Sequence, residues 1–418
     1  MLWIATANPT HTNLQEATDM STIKTGLNKI ISNKLIIGFI LTIFAITAGV
    51  QSILKKSEFY PEVNKTYTHY NNYIIFKNSF THLSEHKDLY QMYPEEHWDL
   101  YKYSPTFSFF MGIFSLFPDS IGLCLWNLLN ALALFFAVYA LPYLSPKQKG
   151  FALLLCVFEL MTSMQNSQSN ALMAGLLILS FALMEKNKFF LAVLCIVSSM
   201  YIKIFGIVGM SLFLFYPDKW KNALYSVFWI ILLFLLPLFV IDFNQLLFLY
   251  KSWGHLLSND YQSAYSLSVV GLINTWFHLD INKNLVLIPG IILFMIPFIF
   301  TKKYSESTFR TLALASVLIW IIIFNHKAES PTFIVAMIGI CIWFFISKPD
   351  KINLSLFLFA FILTSLSATD LFPKIIRDTW VKPYALKALP CVIIWFKILY
   401  DMISLHTVHG IEKLTAKE

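Results

Sequence analysis

Apolar runs long enough to cross a bilayer recur from Leu35 nearly to the end of this 418-residue chain. They fall in long blocks rather than at heptad positions, so the bilayer itself is the solvent they are built for. In order they are Leu35 to Leu54, about Ile121 to Leu144, a pair over Phe151 to Leu183 broken by Gln165-Asn166-Ser167-Gln168-Ser169-Asn170, and a pair over Phe189 to Tyr216 broken at Tyr201-Ile202-Lys203. Single runs follow at Tyr225 to Ile241, Leu285 to Phe300, Leu312 to Phe324, Phe333 to Ile346, Leu354 to Leu366 and Cys391 to Leu405. At roughly 30 Å of hydrocarbon per crossing, these amount to about twelve spans. Charged residues make up 13% of the chain, against about 25% in an ordinary soluble domain, so a water-exposed globule is excluded. The expected class is an all-α polytopic integral membrane protein.

The sparse charge is sorted. With the N-terminus inside, Lys147 and Lys149, Lys186 and Lys188, Lys219 and Lys221, Lys302 and Lys303 with Arg310, and Lys348 and Lys351 all fall on cytoplasmic turns. The short connections between them carry at most one Lys each, so the positive-inside rule favours cytoplasmic termini. Residues 1–34 then form a cytoplasmic N-terminal segment, 35–405 the transmembrane domain and 406–418 a cytoplasmic tail. The first segment lacks the apolar core of a signal peptide, and Met20, with Lys24 and Lys29 behind it, is an alternative start. A net charge of +7 spread over many short turns forms no basic stripe, so no nucleic-acid partner is expected. The five cysteines lie in or beside apolar runs without paired spacing and read as small membrane hydrophobes.

This topology leaves 55–120, 242–284 and 369–390 outside. In the first of these, Tyr73-Ile74-Ile75-Phe76, Phe80 and Leu83 recur at helical spacing against Asn71, Lys77, Asn78 and Glu85, which predicts an interfacial helix. Pro105 to Pro118 reads as a second. Between them, Asp88 to Pro105 contains Glu95, Glu96, His97, Trp98, Asp99 and Tyr103. Carboxylates that accept hydroxyl protons beside aromatic faces that pack on sugar C–H groups suit a sugar site. The same residues also fit an ordinary helix start, with Pro94 at the first position and acids favoured by the macrodipole. On that helix Glu96 and Asp99 would share a face.

The succession Tyr70-Asn71-Asn72-Tyr73, Asp88-Leu89-Tyr90 and Tyr103-Ser104-Pro105 before an apolar stretch ending in Phe117-Pro118 resembles glycosyltransferase family 87. Gln165 to Asn170, Lys203 at a helix break and Tyr265 to Gly271 add to the likeness. The resemblance implies the GT-C fold and transfer of a sugar, most often mannose, from a polyprenyl-phosphate donor to a lipid-linked or glycan acceptor, with inversion, in the plasma (inner) membrane. It also implies an aspartate base near residues 68–72, where this chain has Thr68-His69-Tyr70-Asn71-Asn72. The base is then His69, Glu95, Glu96 or Asp99, and an imidazole needs no shift to serve near neutral pH.

Lys203 is the expected partner of the donor phosphate, because a charge between two apolar half-helices is tolerated mainly where it meets water or an anion. A lysine snorkelling to headgroups is the plainer reading. Lys327 and Arg377 are further phosphate candidates, and Asn72, Trp98, Tyr103, Gln165, Asn170 and Glu329 are substrate-binding candidates. No Gly-rich phosphate loop, zinc-spaced Cys/His set or nucleophile elbow occurs, and no metal or cofactor is expected. The inner loops are too short for a nucleotide-binding domain, which leaves a donor that arrives through the bilayer. A multi-span carrier or lipid-linked sugar flippase is the alternative. It calls for related halves and ionisable groups near the midplane, and neither is evident.

Overall fold

A computed structural model describes residues 26–61, 63–259 and 266–404. Most of the N-terminal segment, Tyr265 and the 406–418 tail lie outside the described residues. The first apolar run is helix α1 (Lys34–Leu54), opened by Asn33, whose side chain accepts from the amides of Leu35 and Ile36. Its inner face is Ile37, Leu41, Ala45, Ala48 and Ser52, yet Leu35, Phe39, Ile43, Ile46 and Val50 are exposed along the opposite face. A helix apolar on both faces with one of them uncovered belongs in hydrocarbon.

The segment after α1 begins with a short antiparallel hairpin, β1 (Glu58–Tyr60) and β2 (Lys65–Tyr67), with Phe59 opposite Thr66. Both helices expected in this segment are formed, as α2 (Asn71–Ser84) and α3 (Pro105–Ser115). The latter starts where Ser104 accepts from the Phe107 amide and Pro105 supplies its fixed φ. The stretch between them is a chain of turns rather than a helix from Pro94. Asn71 explains the difference: its side-chain oxygen accepts from the Trp98 amide at 2.9 Å and its nitrogen donates to the Trp98 carbonyl at 2.5 Å, taking both backbone groups a helix would use. Asp99 follows at φ 75°, so Glu96 and Asp99 do not share a helical face.

The core holds α4 (Asp119–Ala140), α5 (Pro146–Leu155), α6 (Val157–Gln165) and α7 (Asn170–Met184). Next come α8 (Phe189–Ile202) and a 3-10 stretch, Ile204–Phe215. These two form a hairpin that reverses at Lys203: Gly206 sits against Ser199, and the Tyr216 ring lies 5.6 Å from that of Phe189. The chain continues through α9 (Lys219–Leu235), α10 (Phe243–Asn259), α11 (Val269–Phe277), α12 (Lys283–Met295), α13 (Ser307–Ile323), α14 (Phe333–Ile346), α15 (Lys351–Ala360) and α16 (Leu389–Ser404). Buried almost all round, α13 and α14 form the centre of the bundle, whereas α9 buries only Asn222 and faces outward.

Lys34–Leu54, Asp119–Ala140 and Lys219–Phe239 are long and apolar enough to cross a membrane, and the other apolar helices run 10–17 residues. The expected class, a helical membrane protein, stands, but about twelve full-length crossings do not follow from these lengths, because several apolar runs are divided by turns and 3-10 or π segments. At one end of the bundle, Glu185 accepts from Arg310 Nε at 2.6 Å and Nη2 at 2.8 Å, and from the hydroxyls of Tyr143 and Tyr216. Three connections and the first turn of α13 are thereby tied through one carboxylate. The opposite end gathers the 55–118 segment with the turns at 165–170, 203 and 325–331.

Helix α7 approaches α4 most closely at Gly175, where a Cβ would stand 2.8 Å from the Ala133 carbonyl carbon. Gly175→Leu should therefore force the helices apart and cost about 1–3 kcal/mol. Thermal unfolding in detergent will show it as a lowered midpoint relative to an Ala133→Ser control.

Candidate functional site

The stretch from Tyr101 to Pro105 is clamped at successive carbonyls. Trp253 Nε1 donates to the Lys102 carbonyl at 3.2 Å, the Tyr90 hydroxyl to that of Tyr103 at 2.9 Å, and the Tyr101 hydroxyl to that of Ser104 at 2.7 Å. Ser104 Oγ in turn donates to the Tyr201 carbonyl at 2.5 Å, which fastens this stretch to the tip of the α8 hairpin. Asp88 supports Tyr90 by accepting from its amide at 3.1 Å, and binds Ser252 of α10 at 3.0 Å. The Asp88-Leu89-Tyr90 and Tyr103-Ser104-Pro105 motifs are thus parts of one clamp whose product is the placement of the Tyr103 side chain.

That side chain meets Lys203. The Tyr103 hydroxyl donates to Gln168 Oε1 at 3.2 Å, and its ring lies 5.7 Å from Lys203 Nζ. Lys203 Nζ donates to Asn170 Oδ1 at 2.7 Å and to Gln168 Oε1 at 3.4 Å. Both acceptors are neutral amides, so the cation has no directly bonded counter-charge among the described residues. Burial pushes the Lys203 ammonium down to about 8, opposed by the nearby Glu329 carboxylate. Burial, with the charges of Glu329 and Asp99 behind it, pushes the Tyr103 phenol up, so it stays a proton donor. Tyr103, Gln168, Asn170 and Lys203 therefore form one polar cluster drawn from three separated stretches of sequence, with the Glu329 carboxylate nearby.

The remaining site candidates are distributed around it. Asn72 donates to the Asn166 carbonyl at 2.9 Å and Gln165 to Gln51 at 2.8 Å, so both brace the 165–170 turn from outside the cluster. Trp98 packs on Tyr60 of the hairpin, with ring centroids 5.0 Å apart. Glu95, 88% exposed and paired with Lys65, and Glu96 line a separate polar cavity of about 450 Å³ together with Thr68, Asn71 and Lys77. His69 is exposed next to Thr68 of that cavity. Arg377 is held within its own segment, donating to the Thr369 carbonyl at 3.1 Å and facing Asp370 and Asp378. Lys327 sits in the 325–330 turn, its amide bonded to Asn325 Oδ1 at 2.9 Å. Among the described residues none of the four base candidates bonds a member of the Lys203 cluster, and the nearest to it in the chain is Asp99, four residues before Tyr103. It is held by the Leu100 amide at 2.7 Å and Lys102 Nζ at 3.0 Å.

Directly beside the cluster is an apolar cavity of about 790 Å³ between α3, α4, α7, α8 and α9, lined among others by Phe107, Phe110, Leu172, Leu176, Tyr201 and Ile202. Two further lining residues, Ile113 and Leu116, are 58% and 80% exposed, so the cavity opens toward the surroundings of the bundle. Its inner end reaches the residues immediately preceding Lys203.

Two groups escaped the sequence reading. Glu159 and Lys387 form an ion pair, Nζ to Oε1 at 2.9 Å, and Lys387 also donates to Ser330 Oγ at 2.7 Å, next to Glu329. The available signal was Glu159 inside an apolar run, a costly placement that calls for a partner. The second group is His82 with His97. The His82 ring stacks on Tyr93 at 3.8 Å and its Nε2 bonds Glu96 at 3.0 Å. Burial pushes His97 down, toward the neutral form. These contacts come from chain folding between α2 and the turns, which no local spacing announces.

The ion pair yields a test. Removing one partner leaves an uncompensated buried charge, so Lys387→Met should cost about 3–5 kcal/mol. Glu159→Leu combined with Lys387→Met should recover most of that loss, and denaturant melts of the three proteins will separate the two effects.

The chain was compared with protein families and with individual curated proteins. The model of glycosyltransferase family 87 matches residues 101–369, more than half of the chain. The matched span includes Tyr103, Gln165 to Asn170, Lys203 and Glu329 but starts after Tyr70 to Tyr73 and Asp88 to Tyr90. No individual curated protein matches. A transferase, rather than a carrier, is thereby favoured, and the chain belongs to glycosyltransferase family 87 as a membrane glycosyltransferase.

Proposed function

We propose that the chain transfers a sugar, mannose by resemblance, from a polyprenyl-phosphate donor to an acceptor hydroxyl at the outer face of the plasma membrane. The observation that carries this reading is the adjacency of an apolar cavity and an ammonium without a directly bonded counter-charge: the cavity is lined by Tyr201 and Ile202, and Lys203 follows them in the chain. A ligand that complements both is an isoprenoid chain ending in a phosphate. The lysine-rich turns at the Glu185–Arg310 end support placing that end in the cytoplasm and the Lys203 cluster outside, in a GT-C-like bundle of about twelve passes.

The transfer is a single displacement. Asp99 takes the proton of the acceptor hydroxyl as its oxygen attacks the anomeric carbon, and the bond from that carbon to the phosphate oxygen breaks with inversion. The departing phosphate gains charge, which Lys203 and the Tyr103 hydroxyl stabilise in a site that excludes water. Asn170 and Gln168 aim the ammonium, Glu329 accepts from a sugar hydroxyl, and Lys327 adds positive charge from the neighbouring turn. Asp99 is preferred over His69, Glu95 and Glu96 because it lies four residues before Tyr103 on the same chain of turns, while Glu95 and Glu96 line the separate polar cavity and His69 lies beside it.

The test is transfer of labelled sugar from synthetic polyprenyl-phosphate-sugars by the purified protein. Asp99→Asn should lower kcat by about 10²- to 10⁴-fold, and Lys203→Ala by a similar factor. Full activity in the Lys203 variant would remove the phosphate assignment, and no transfer from any lipid-linked donor would sink the donor class. A pH profile adds a signature. Because its folded-state pKa is lowered to about 8, Lys203 carries its charge below that pH and loses it above. Consequently kcat/KM should decline as pH rises through about 8, and Lys203→Arg, whose charge persists, should abolish that decline.

A further inference from the structure

The sequence offers no metal motif, yet the fold brings His82, Glu96 and His97 together so that one ligand atom from each lies within 4.8 Å of the other two. His82 comes from the last turn of α2, and Glu96 and His97 from the turns that precede Asp99. His82 Nε2 faces the Glu96 carboxylate at 3.0 and 3.2 Å, with a proton as the present link between them. Glu96 is further held by Asn78 Nδ2 at 2.9 Å, and the His82 ring is stacked against Tyr93. His97 is 2% exposed, and its Nδ1 lies 3.1 Å from the Asp99 carbonyl. A carbonyl only accepts, so Nδ1 carries the proton and Nε2 keeps its lone pair. An imidazole whose one nitrogen is fixed on a backbone carbonyl while the other is left as a donor is the outer-shell arrangement of metal-ligating histidines.

We propose that His82, Glu96 and His97 bind a divalent cation of the zinc class. Two imidazole nitrogens and a single carboxylate suit zinc over magnesium or calcium, which take mostly oxygen donors. Three protein ligands leave a fourth tetrahedral position for water. Tetrahedral bonds of about 2.0 Å put ligand atoms about 3.3 Å apart, so the widest separation closes by up to about 1.5 Å, and the cation takes the place of the proton between His82 Nε2 and Glu96, which passes to His82 Nδ1 or, from an imidazolium, to solvent. The ion would pin the 96–99 turns to α2. His97 reaches Asp99 through its carbonyl, so the ion also fixes the backbone that carries the Asp99 carboxylate. His82, Glu96 and His97 are positioning residues in this role, and none of them touches the reacting atoms.

The experiment uses the full chain purified in detergent through a tag without histidines, stripped with chelator and titrated with zinc chloride. Calorimetry and metal analysis after gel filtration should find a single zinc per chain, and zinc should raise the melting temperature. His82→Gln and His97→Gln should each weaken binding about tenfold or more and abolish the thermal shift, while His86→Gln, at the end of α2 but outside the cluster, should retain both. Glu96→Gln keeps a hydrogen-bonding partner for Asn78 and His82 but removes the anionic ligand, so it decides the matter if a histidine variant fails to fold: it should elute and melt like the apo protein and lose zinc. No zinc bound by the wild type, or zinc held equally by Glu96→Gln and the wild type, would overturn the site. Zinc binding is read without activity, so its failure is separable from failure of the proposed transfer.

Discussion

An ammonium at the tip of an apolar hairpin is a costly placement in a membrane protein. Lys203 follows an α-helix and precedes a 3-10 stretch, both almost wholly apolar, and the chain reverses on it. Charge there is tolerable only with hydrogen-bond acceptors and an accessible polar environment. The structure supplies two amide oxygens, from Gln168 and Asn170, and an aromatic face from Tyr103. None of the three is an anion. An arrangement that bonds a cation to neutral amides, with the Glu329 carboxylate nearby but not bonded to it, keeps the charge available for a ligand, and this distinguishes the cluster from the Glu159–Lys387 and Glu185–Arg310 pairs, where the charges are directly paired.

Those matched pairs hold the frame against which the unmatched charge is set. Glu185 gathers three connections and the start of α13 at one end, and Glu159 with Lys387 and Ser330 fixes the base of the turn that carries Glu329. The clamp on the carbonyls of Lys102, Tyr103 and Ser104 does the same for Tyr103. Because each of these carbonyls is already satisfied, the stretch has little reason to rearrange, and the Tyr103 ring stays over Lys203.

The helical membrane class was legible because apolar runs are a one-dimensional signal. The same holds for the two helices of the 55–118 segment, for the break at Lys203 and for the Gln165 to Asn170 turn. The stretch around Pro94 was not, since its helix-start signature is local and Asn71, more than twenty residues earlier, takes the Trp98 backbone groups. The sorting of the four base candidates was hidden for a related reason: turns that no local spacing announces put Glu95 and Glu96 on the polar cavity, while Asp99, at φ 75°, lies outside its lining. Glu159 carried a readable signal in its membrane position, whereas Lys387 as its partner is set by tertiary packing alone.

The central claim is that the Lys203 ammonium and the apolar cavity beside it receive the two ends of one lipid-phosphate donor. A structure determined with a non-transferable polyprenyl-phosphonate sugar bound would test it most directly. The account predicts the phosphonate within hydrogen-bond distance of Lys203 Nζ and the isoprenoid chain between Phe107, Leu172 and Ile202. A lipid bound with its phosphonate at the polar cavity of Glu95 and Glu96, or at the Glu185–Arg310 end, would contradict it.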